Sequence, residues 1–322
     1  MFRRGSASDV SLKVSKHPRH TFKEFKYMGL VMRKEGGSTE AAKPTPAFLK
    51  KKPTSFAAQI EVSLPTAKST PSDVLEDYTW LIHGEAKIGK TSLLSNFSDT
   101  LFLMFEPGGK GLSVFKVDIP DWRYFKAYVK KLQATSQFRH IVIDTVDVSY
   151  ERVYEYIAEK NNWDVPPGDD YGRSSWIPIE KEMKSEFSKI IATGRGVSFT
   201  SHTKEGSFAS RVGSYTKLIP TMPNMPREFL SAFVDIIAYY GYAGEERVLT
   251  IEGSDRVDAG HRILTHFRTL SGEKVHSIPM GDSAEEGYEN IVKAFRNKQA
   301  DVHKPKQKEV LSETKAMRKR SI

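Results

Sequence analysis

The chain of 322 residues contains no cysteine, and its apolar runs are short. The lack of cysteine excludes disulfides and metal sites built on thiolates, and it fits an intracellular protein. The short runs argue against a membrane-spanning helix, which needs roughly 20 consecutive apolar residues. Arg3 and Arg4 are not followed by an apolar segment, so we expect no secretory signal peptide. Together these absences predict a cytoplasmic protein with no membrane partner.

Positive charge is scarce in the middle of the chain and concentrated at its ends. Residues 1–70 carry 14 Lys and Arg against 5 Asp and Glu, and residues 295–322 carry 9 against 3, while the net charge of the whole chain is +9. The middle is therefore mildly acidic. Basic tails either neutralise nucleic-acid phosphates or simply remain solvated. We expect a basic, largely flexible segment over 1–70, a folded domain over 71–298 and a basic, disordered tail over 299–322.

The most informative stretch is Gly-Glu-Ala-Lys-Ile-Gly-Lys-Thr at residues 84–91, which follows an apolar run at 80–82. It fits the phosphate-loop pattern G-x-x-x-x-G-K-[ST] without a mismatch. The glycines let the backbone curl so that its N–H groups point at phosphate oxygens. Lys90 is expected to reach the β- and γ-phosphates, and the Thr91 hydroxyl to ligate Mg²⁺. The predicted nucleotide-binding residues are Gly84, Glu85, Ala86, Lys87, Ile88, Gly89, Lys90, Thr91 and Ser92.

A second motif lies about 50 residues further on, where the apolar strand His140-Ile141-Val142-Ile143 closes on Asp144. This is the Walker B pattern. At the C-terminal end of a parallel strand, such a carboxylate faces the ligand crevice, where it can hold Mg²⁺. We therefore predict Thr91 and Asp144 as the metal-binding residues, with ATP as substrate and Mg²⁺ as cofactor. Asp147 is predicted to be the N-cap of the helix that follows.

Strands and helices alternate from residue 78 onward, which predicts an α/β domain with a mostly parallel sheet flanked by helices and a C-terminal β-hairpin. Asp121 and Ser283 are expected to cap helices. Residues 203–217 are predicted to be a long loop of small residues. Further strands are expected at 101–105, 114–119, 196–202, 235–242, 247–253 and 263–267.

The order of these motifs resembles the RecA-like ATPase core, and in particular the phage-encoded RecA-like ATPases of single-strand annealing and recombination. The resemblance covers roughly residues 76–270. It implies a RecA-like P-loop fold for the middle of the chain and an ATPase that single-stranded DNA stimulates. The motifs that carry it are Gly84–Thr91, Glu106-Pro107-Gly108, Ile141–Asp144 and Ser201-His202-Thr203-Lys204.

The resemblance also implies roles for single residues. Glu106 stands where the family has the glutamate that activates the attacking water. His202 stands where the family has a polar residue, often glutamine, that senses the γ-phosphate. The implied catalytic residues are therefore Lys90, Glu106, Asp144 and His202.

In this family the loops after the third and fourth strands bind DNA, and they correspond here to about 163–173 and 204–217. The first of them is acidic, which disfavours DNA binding. The second combines basic and aromatic side chains, which suit phosphate neutralisation and base stacking. The candidate DNA-binding residues are Lys204, Phe208, Arg211, Tyr215 and Lys217.

Relatives of this kind work as rings or filaments, so the resemblance implies a homo-oligomer in which a neighbour supplies a positive charge to the γ-phosphate. Arg256, Arg262 and Arg268 are the candidates, and a single-strand-binding protein is a further implied partner. Two other functions remain open. One is a helicase- or packaging-type motor that shares the core, and the other is a nucleotide-dependent switch or scaffold with slow hydrolysis.

Overall fold

The structure, a computed structural model, describes residues 63–163, 173–211 and 213–301. Most of the predicted flexible segment, most of the acidic loop at 163–173 and most of the basic C-terminal tail lie outside the described residues. The chain forms two units, residues 1–65 and 66–322, and every element below belongs to the second. In the described ranges no helix has the length and apolarity that a membrane crossing requires. The predicted boundaries at 70 and 298 stay predictions.

Nine strands form one mixed sheet at the centre of the described domain, and two more form a separate hairpin. The strands are β1 (Trp80–Gly84), β2 (Thr100–Met104), β3 (Phe115–Asp118), β4 (His140–Asp144), β5 (Gly196–Ser201), β6 (Thr203–Ser210), β7 (Gly213–Pro220), β8 (Ile236–Ala243), β9 (Glu246–Thr250), β10 (Gly260–His261) and β11 (Ser277–Pro279). The strand order is β11-β9-β8-β1-β5-β4-β2-β3, with β10 on β8, while β6 pairs with β7.

The run from β8 to β3 is entirely parallel, and β9, β10 and β11 pair antiparallel at the other side. The predicted α/β class with a mostly parallel sheet is therefore confirmed. Strand β5 lies between β1 and β4, so the strand before the phosphate loop and the Walker B strand are not neighbours. The C-terminal ends of β1, β5, β4 and β2 nevertheless meet at one edge of the sheet, because these strands are parallel.

Helices cover both faces of the sheet. Successive residues of a strand point to opposite faces, so Leu81 packs with one set of helices while Trp80 and Ile82 pack with the other. The Leu81 face is covered by α2, α3, α4 and α5, and the opposite face by α1 and α6. Their bounds are α1 (Lys90–Leu94), α2 (Trp122–Gln133), α3 (Val146–Asn161), α4 (Arg173–Ile191), α5 (Asn224–Phe233) and α6 (Ala284–Phe295).

Both predicted helix caps are confirmed. The Asp121 carboxylate accepts hydrogen bonds from the backbone N–H groups of Arg123 and Tyr124, and the Ser283 hydroxyl oxygen accepts from that of Glu286. Helix α2 buries the apolar stripe that begins at Trp122 and recurs at helical spacing. Strands β1, β2, β4 and β5 are buried at every position. The apolar runs of β1, β2 and β4 predict this burial, whereas β5 buries serine and threonine side chains between its apolar residues.

The predicted loop at 203–217 is wrong, because these residues form most of the β6–β7 hairpin. The two strands pair from Thr203 with Pro220 to Ser210 with Gly213. Gly213 follows the turn with φ 143°, a backbone conformation that glycine adopts without strain. The many small side chains of the hairpin conceal the alternation of apolar and polar residues that normally identifies a strand.

Two further local predictions are wrong. Residues 263–267 form no strand, and only Gly260–His261 pairs with β8 in this region. Asp147 is not the N-cap of α3, since that position belongs to Thr145. Asp147 lies in the first helical turn, where its carboxylate binds the end of β5 instead.

Candidate active site

The phosphate loop connects β1 directly to α1, as the motif requires. A Cβ atom on Gly84 would lie 2.2 Å from the Tyr240 carbonyl oxygen, so only glycine fits between β1 and β8 at this point. Gly89 has φ 113°, which again favours glycine. Helix α1 is short and spans only the five residues Lys90–Leu94.

Lys90 lies beneath the loop that precedes it. Its Nζ donates hydrogen bonds of 2.9 Å to the carbonyl oxygens of Gly84 and Glu85, and the residue is only 6% exposed. Burial lowers the pKa of the Lys90 ammonium, while the nearby carboxylates of Asp144, Asp147 and Glu106 act in the opposite direction. These carboxylates therefore help to keep a positive charge at a buried position.

Asp144 connects the phosphate loop to the central strands. Its Oδ2 accepts a 2.7 Å hydrogen bond from the Thr91 hydroxyl, and its Oδ1 accepts a 2.6 Å bond from the Thr200 hydroxyl. Thr91 and Asp144 both line the same cleft. A hydroxyl and a carboxylate are the hard oxygen donors that Mg²⁺ prefers, and phosphates and water commonly complete its shell. The residues present thus fit Mg²⁺.

Glu106 lies two residues beyond β2 and next to the end of β4. The backbone N–H groups of Phe105 and Glu106 donate to the carbonyl oxygen of Asp144, at 2.7 and 3.3 Å. The Oε1 atom of Glu106 accepts a 2.5 Å hydrogen bond from the Thr145 hydroxyl and lies 3.5 Å from Nε2 of His202. The ends of β2, β4 and β5 therefore converge on one carboxylate.

His202 is held from behind by Asp147. The half-buried Asp147 carboxylate accepts a 2.8 Å hydrogen bond from the backbone N–H of His202 and a 2.9 Å bond from the Ser201 hydroxyl. Burial raises the pKa of Asp147, and these two hydrogen bonds partly offset the rise. Asp147 does not line the cleft. It fixes the backbone at the end of β5 and so determines where the imidazole of His202 lies.

The cleft between these elements has a volume of about 780 Å³. Of the predicted nucleotide-binding residues, it is lined by Ala86, Lys87, Gly89, Lys90, Thr91 and Ser92. Gly84 and Glu85 act through their carbonyl groups, while Ile88 belongs to the core below. The predicted catalytic residues Glu106, Asp144 and His202 line it too. Sequence reasoning missed two contributions: the wall formed by residues 107–112, and Thr145 and Thr200 as partners of the carboxylates.

The hairpin that starts directly after His202 carries most of the candidate DNA-binding residues on one face. Alternate residues share a face, and the register therefore groups Lys204, Phe208, Tyr215 and Lys217. The rings of Phe208 and Tyr215 are stacked, with centroids 5.6 Å apart and planes inclined by 24°. Arg211 is exposed at the turn.

Two of these cations are already engaged. Lys204 Nζ donates to the Thr221 carbonyl oxygen at 2.8 Å, and Lys217 Nζ pairs with Asp258 at 3.0 Å. Among the candidate trans-acting arginines, Arg262 donates to the carbonyl oxygens of Ala232 and Val234 at the opposite end of β8. Its guanidinium is therefore used within the chain.

A parallel sheet with a phosphate loop after β1 and a Walker B aspartate at the end of β4 defines a P-loop nucleoside triphosphatase. A family model described as an AAA domain matches residues 76–263, more than half of the chain. The chain therefore belongs to this AAA domain family, a class of nucleotide-binding ATPases. No curated protein matches the chain.

Two solved structures are similar to parts of the chain. One is a KaiC-like protein from the hyperthermophilic archaeon Pyrococcus horikoshii, with 12% identity and a TM-score of 0.38 over 65% of this chain and 88% of that one. The other is the RadB recombinase, with 15% identity and a TM-score of 0.33 over 54% of this chain and 80% of that one.

Proposed function

We propose that the protein is an ATPase that acts on single-stranded DNA in recombination or annealing of the phage type. The observation that supports the ATPase half is the convergence of unlike groups on one cleft. A buried cation, Lys90, lies there with the oxygen donors Thr91 and Asp144 and with Glu106, whose carboxylate is oriented by Thr145. These side chains come from the start of α1 and from the ends of β2 and β4, so the fold positions them around one cleft, and phosphoryl transfer depends on such positioning.

In this proposal Lys90 and the loop N–H groups bind the phosphates of ATP. Thr91 and Asp144 would hold Mg²⁺, which supplies positive charge to the phosphate oxygens when it is bound. Glu106 accepts the proton of the attacking water, and the 3.5 Å between His202 Nε2 and Glu106 Oε1 lets His202 contact the same region from β5. Asp147 is a poor alternative base, because its carboxylate already binds Ser201 and the backbone of His202.

The test of this half is Glu106→Gln, which keeps the size of the side chain and removes the base. We expect ATP binding to persist while kcat falls by about 10²–10⁴-fold, the usual contribution of a positioned base. Asp118→Asn is the matched control, because Asp118 ends the neighbouring strand β3 but lies outside the cleft. A kcat within a few-fold of the unmodified protein would mean that the water is activated elsewhere.

The observation that supports the DNA half is the basic and aromatic face of the β6–β7 hairpin. Stacking on aromatic rings is worth about 1–3 kcal/mol per base and depends little on sequence. Tyr215 is 41% exposed and stacked on Phe208, so one ring is already ordered by the other. Because the hairpin begins one residue after His202, a strand bound there adjoins the site of hydrolysis.

The DNA half is tested by ATP hydrolysis with and without an oligonucleotide. Lys204→Glu with Arg211→Glu is expected to abolish the stimulation and leave the basal rate. Tyr215→Ala is expected to weaken DNA binding by about 1–3 kcal/mol with little dependence on salt. Ser207→Ala, on the opposite face of the hairpin, is the control. If these changes are silent and deletion of residues 1–45 abolishes the stimulation, the hairpin is not the DNA site.

Two assays distinguish annealing from the alternative functions of the ATPase. Annealing of complementary strands without strand displacement supports the proposal, whereas displacement of a paired strand supports a motor. Slow hydrolysis that DNA does not change supports a switch or scaffold. We also propose a homo-oligomer in which the exposed Arg256 reaches a neighbour's cleft, with a single-strand-binding protein as a further partner.

A further inference from the structure

His83 is a fully buried histidine that the proposed mechanism does not use. It is the penultimate residue of β1, immediately before Gly84 of the phosphate loop. Its Nε2 lies 2.6 Å from the carbonyl oxygen of Asp258, and its Nδ1 lies 2.9 Å from the Thr203 hydroxyl. Both contacts are long-range, so this side chain connects the phosphate loop to two distant segments.

The partners of His83 fix its protonation. A carbonyl oxygen only accepts hydrogen bonds, so Nε2 carries the proton and donates it to Asp258. In the neutral ring Nδ1 is unprotonated and accepts from the Thr203 hydroxyl. Burial lowers the pKa of His83 to about 4, which agrees with a neutral ring. The neutral imidazole therefore connects its two partners rigidly, with Nε2 as a hydrogen-bond donor and Nδ1 as an acceptor.

Both ends of this connector reach the β6–β7 hairpin. Thr203 is the first residue of β6. Asp258 is joined to β7, because its backbone N–H donates to the Leu218 carbonyl oxygen at 2.9 Å and its carboxylate pairs with Lys217 at 3.0 Å. His83 therefore contacts the base of the first strand directly and the second strand through Asp258.

We propose that His83 is a positioning residue that couples the phosphate loop to the hairpin, so that nucleotide bound at the loop and DNA bound at the hairpin change each other's affinity. The proposal rests on the proposed function of the hairpin as a DNA site. It adds a connection that does not pass through the active-site side chains. A shift of Gly84 on phosphate binding moves the adjoining imidazole, and the two hydrogen bonds transmit this movement to both hairpin strands.

The experiment follows the hairpin directly. Because the chain has no cysteine, Ser214→Cys provides one site for an environment-sensitive dye, on the hairpin face opposite Tyr215. The probe ligands are a non-hydrolysable ATP analogue with Mg²⁺ and an oligothymidylate. We measure the dye signal against analogue concentration without DNA, and then the analogue Kd with and without saturating oligothymidylate.

Three variants remove the hydrogen bonds of His83 together or separately. His83→Leu removes both hydrogen bonds, His83→Gln can retain the donor to Asp258, and Thr203→Val removes only the hydroxyl while keeping the volume. His140→Leu is the matched control. His140 is also fully buried, has a pKa lowered by burial to about 4 and bonds one carbonyl and one hydroxyl, but it starts β4 at the opposite edge of the sheet.

We expect the unmodified hairpin to respond to the analogue, and DNA to change the analogue Kd by about 5–150-fold, the usual range of coupling. His83→Leu and Thr203→Val should reduce the dye response at least about fivefold and bring the ratio of Kd values close to one. His83→Gln should retain part of both effects. His140→Leu should retain both, although it loses a comparable amount of stability.

Two results would overturn the proposal: a hairpin that does not respond to nucleotide, or His83 and Thr203 variants that respond as His140→Leu does. Should His83→Leu fail to fold, Thr203→Val decides alone, because that side chain is only half-buried. A hairpin that responds to nucleotide through His83 but binds no DNA would support the coupling and refute the DNA half of the proposed function.

Discussion

Acidification is expected to destabilise this protein through two buried histidines. His83 and His140 are both fully buried, and burial lowers the pKa of each to about 4 from an ordinary value of 6.5. In the unfolded chain each imidazole takes up a proton near pH 6.5. In the native protein each stays neutral until about pH 4, because protonation would place a charge in the core.

The sign and the size follow from linkage. Between about pH 6.5 and 4 the unfolded state binds more protons than the native state, so the free energy of unfolding falls as the pH falls. Above about pH 6.5 these histidines are neutral in both states, so they do not lower the free energy of unfolding. One pKa unit corresponds to about 1.4 kcal/mol, so each histidine costs the native state about 3 kcal/mol by pH 4. That is a large part of the stability of an ordinary domain.

Urea unfolding at a series of pH values between 7 and 4.5 measures this slope. His140→Gln should lose stability at pH 7 and show a distinctly shallower decline than the unmodified protein, since one of the two histidines whose pKa is lowered to about 4 is gone. His276→Gln is the control, because His276 is exposed and its change should leave the slope as it was. Equal slopes for His140→Gln and the unmodified protein would refute the reasoning.

Two further predictions concern the site. Asp144→Asn should lose Mg²⁺-dependent turnover while the fold persists, since an amide oxygen can still accept one of the two threonine hydrogen bonds; an unchanged dependence of rate on Mg²⁺ concentration would remove Asp144 from the site. Gly84→Ala should destabilise the protein by about 1–3 kcal/mol in urea unfolding, because the new Cβ meets the Tyr240 carbonyl oxygen, whereas Gly111→Ala meets no atom within 4 Å and should change stability little.

The central elements could be predicted because their signals are local. A strand buried on both faces is a continuous apolar run, and β1 and β4 each end on the residue type that their motif requires. The α2 stripe and the Asp121 cap are equally local. The arrangement of these elements relative to one another has no such local signal. That β5 lies between β1 and β4, and that Thr200 therefore meets Asp144, depends on strand order, which no short stretch encodes.

The hairpin and its contacts with the rest of the domain could not be predicted from the sequence for other reasons. Residues such as Gly206, Ser207 and Ala209 carry little of the apolar alternation that marks a strand, although the two strands pair along their whole length. The sequence predicts a cap at Asp147 because carboxylates near helix starts usually are caps. Its actual partners lie more than 50 residues away. His83 likewise carries no sequence signal, because both of its partners are more than 100 residues distant.

The central claim, that this cleft hydrolyses ATP with Lys90 on the phosphates, is tested most directly by phosphate release from ATP in the unmodified protein and in Lys90→Ala. Lys130→Ala, an exposed change on α2, is the control. The account predicts Mg²⁺-dependent release by the unmodified protein and by the control. It predicts a loss of at least about 10²–10³-fold in Lys90→Ala, together with much weaker nucleotide binding. Hydrolysis by Lys90→Ala at nearly the unmodified rate would contradict it.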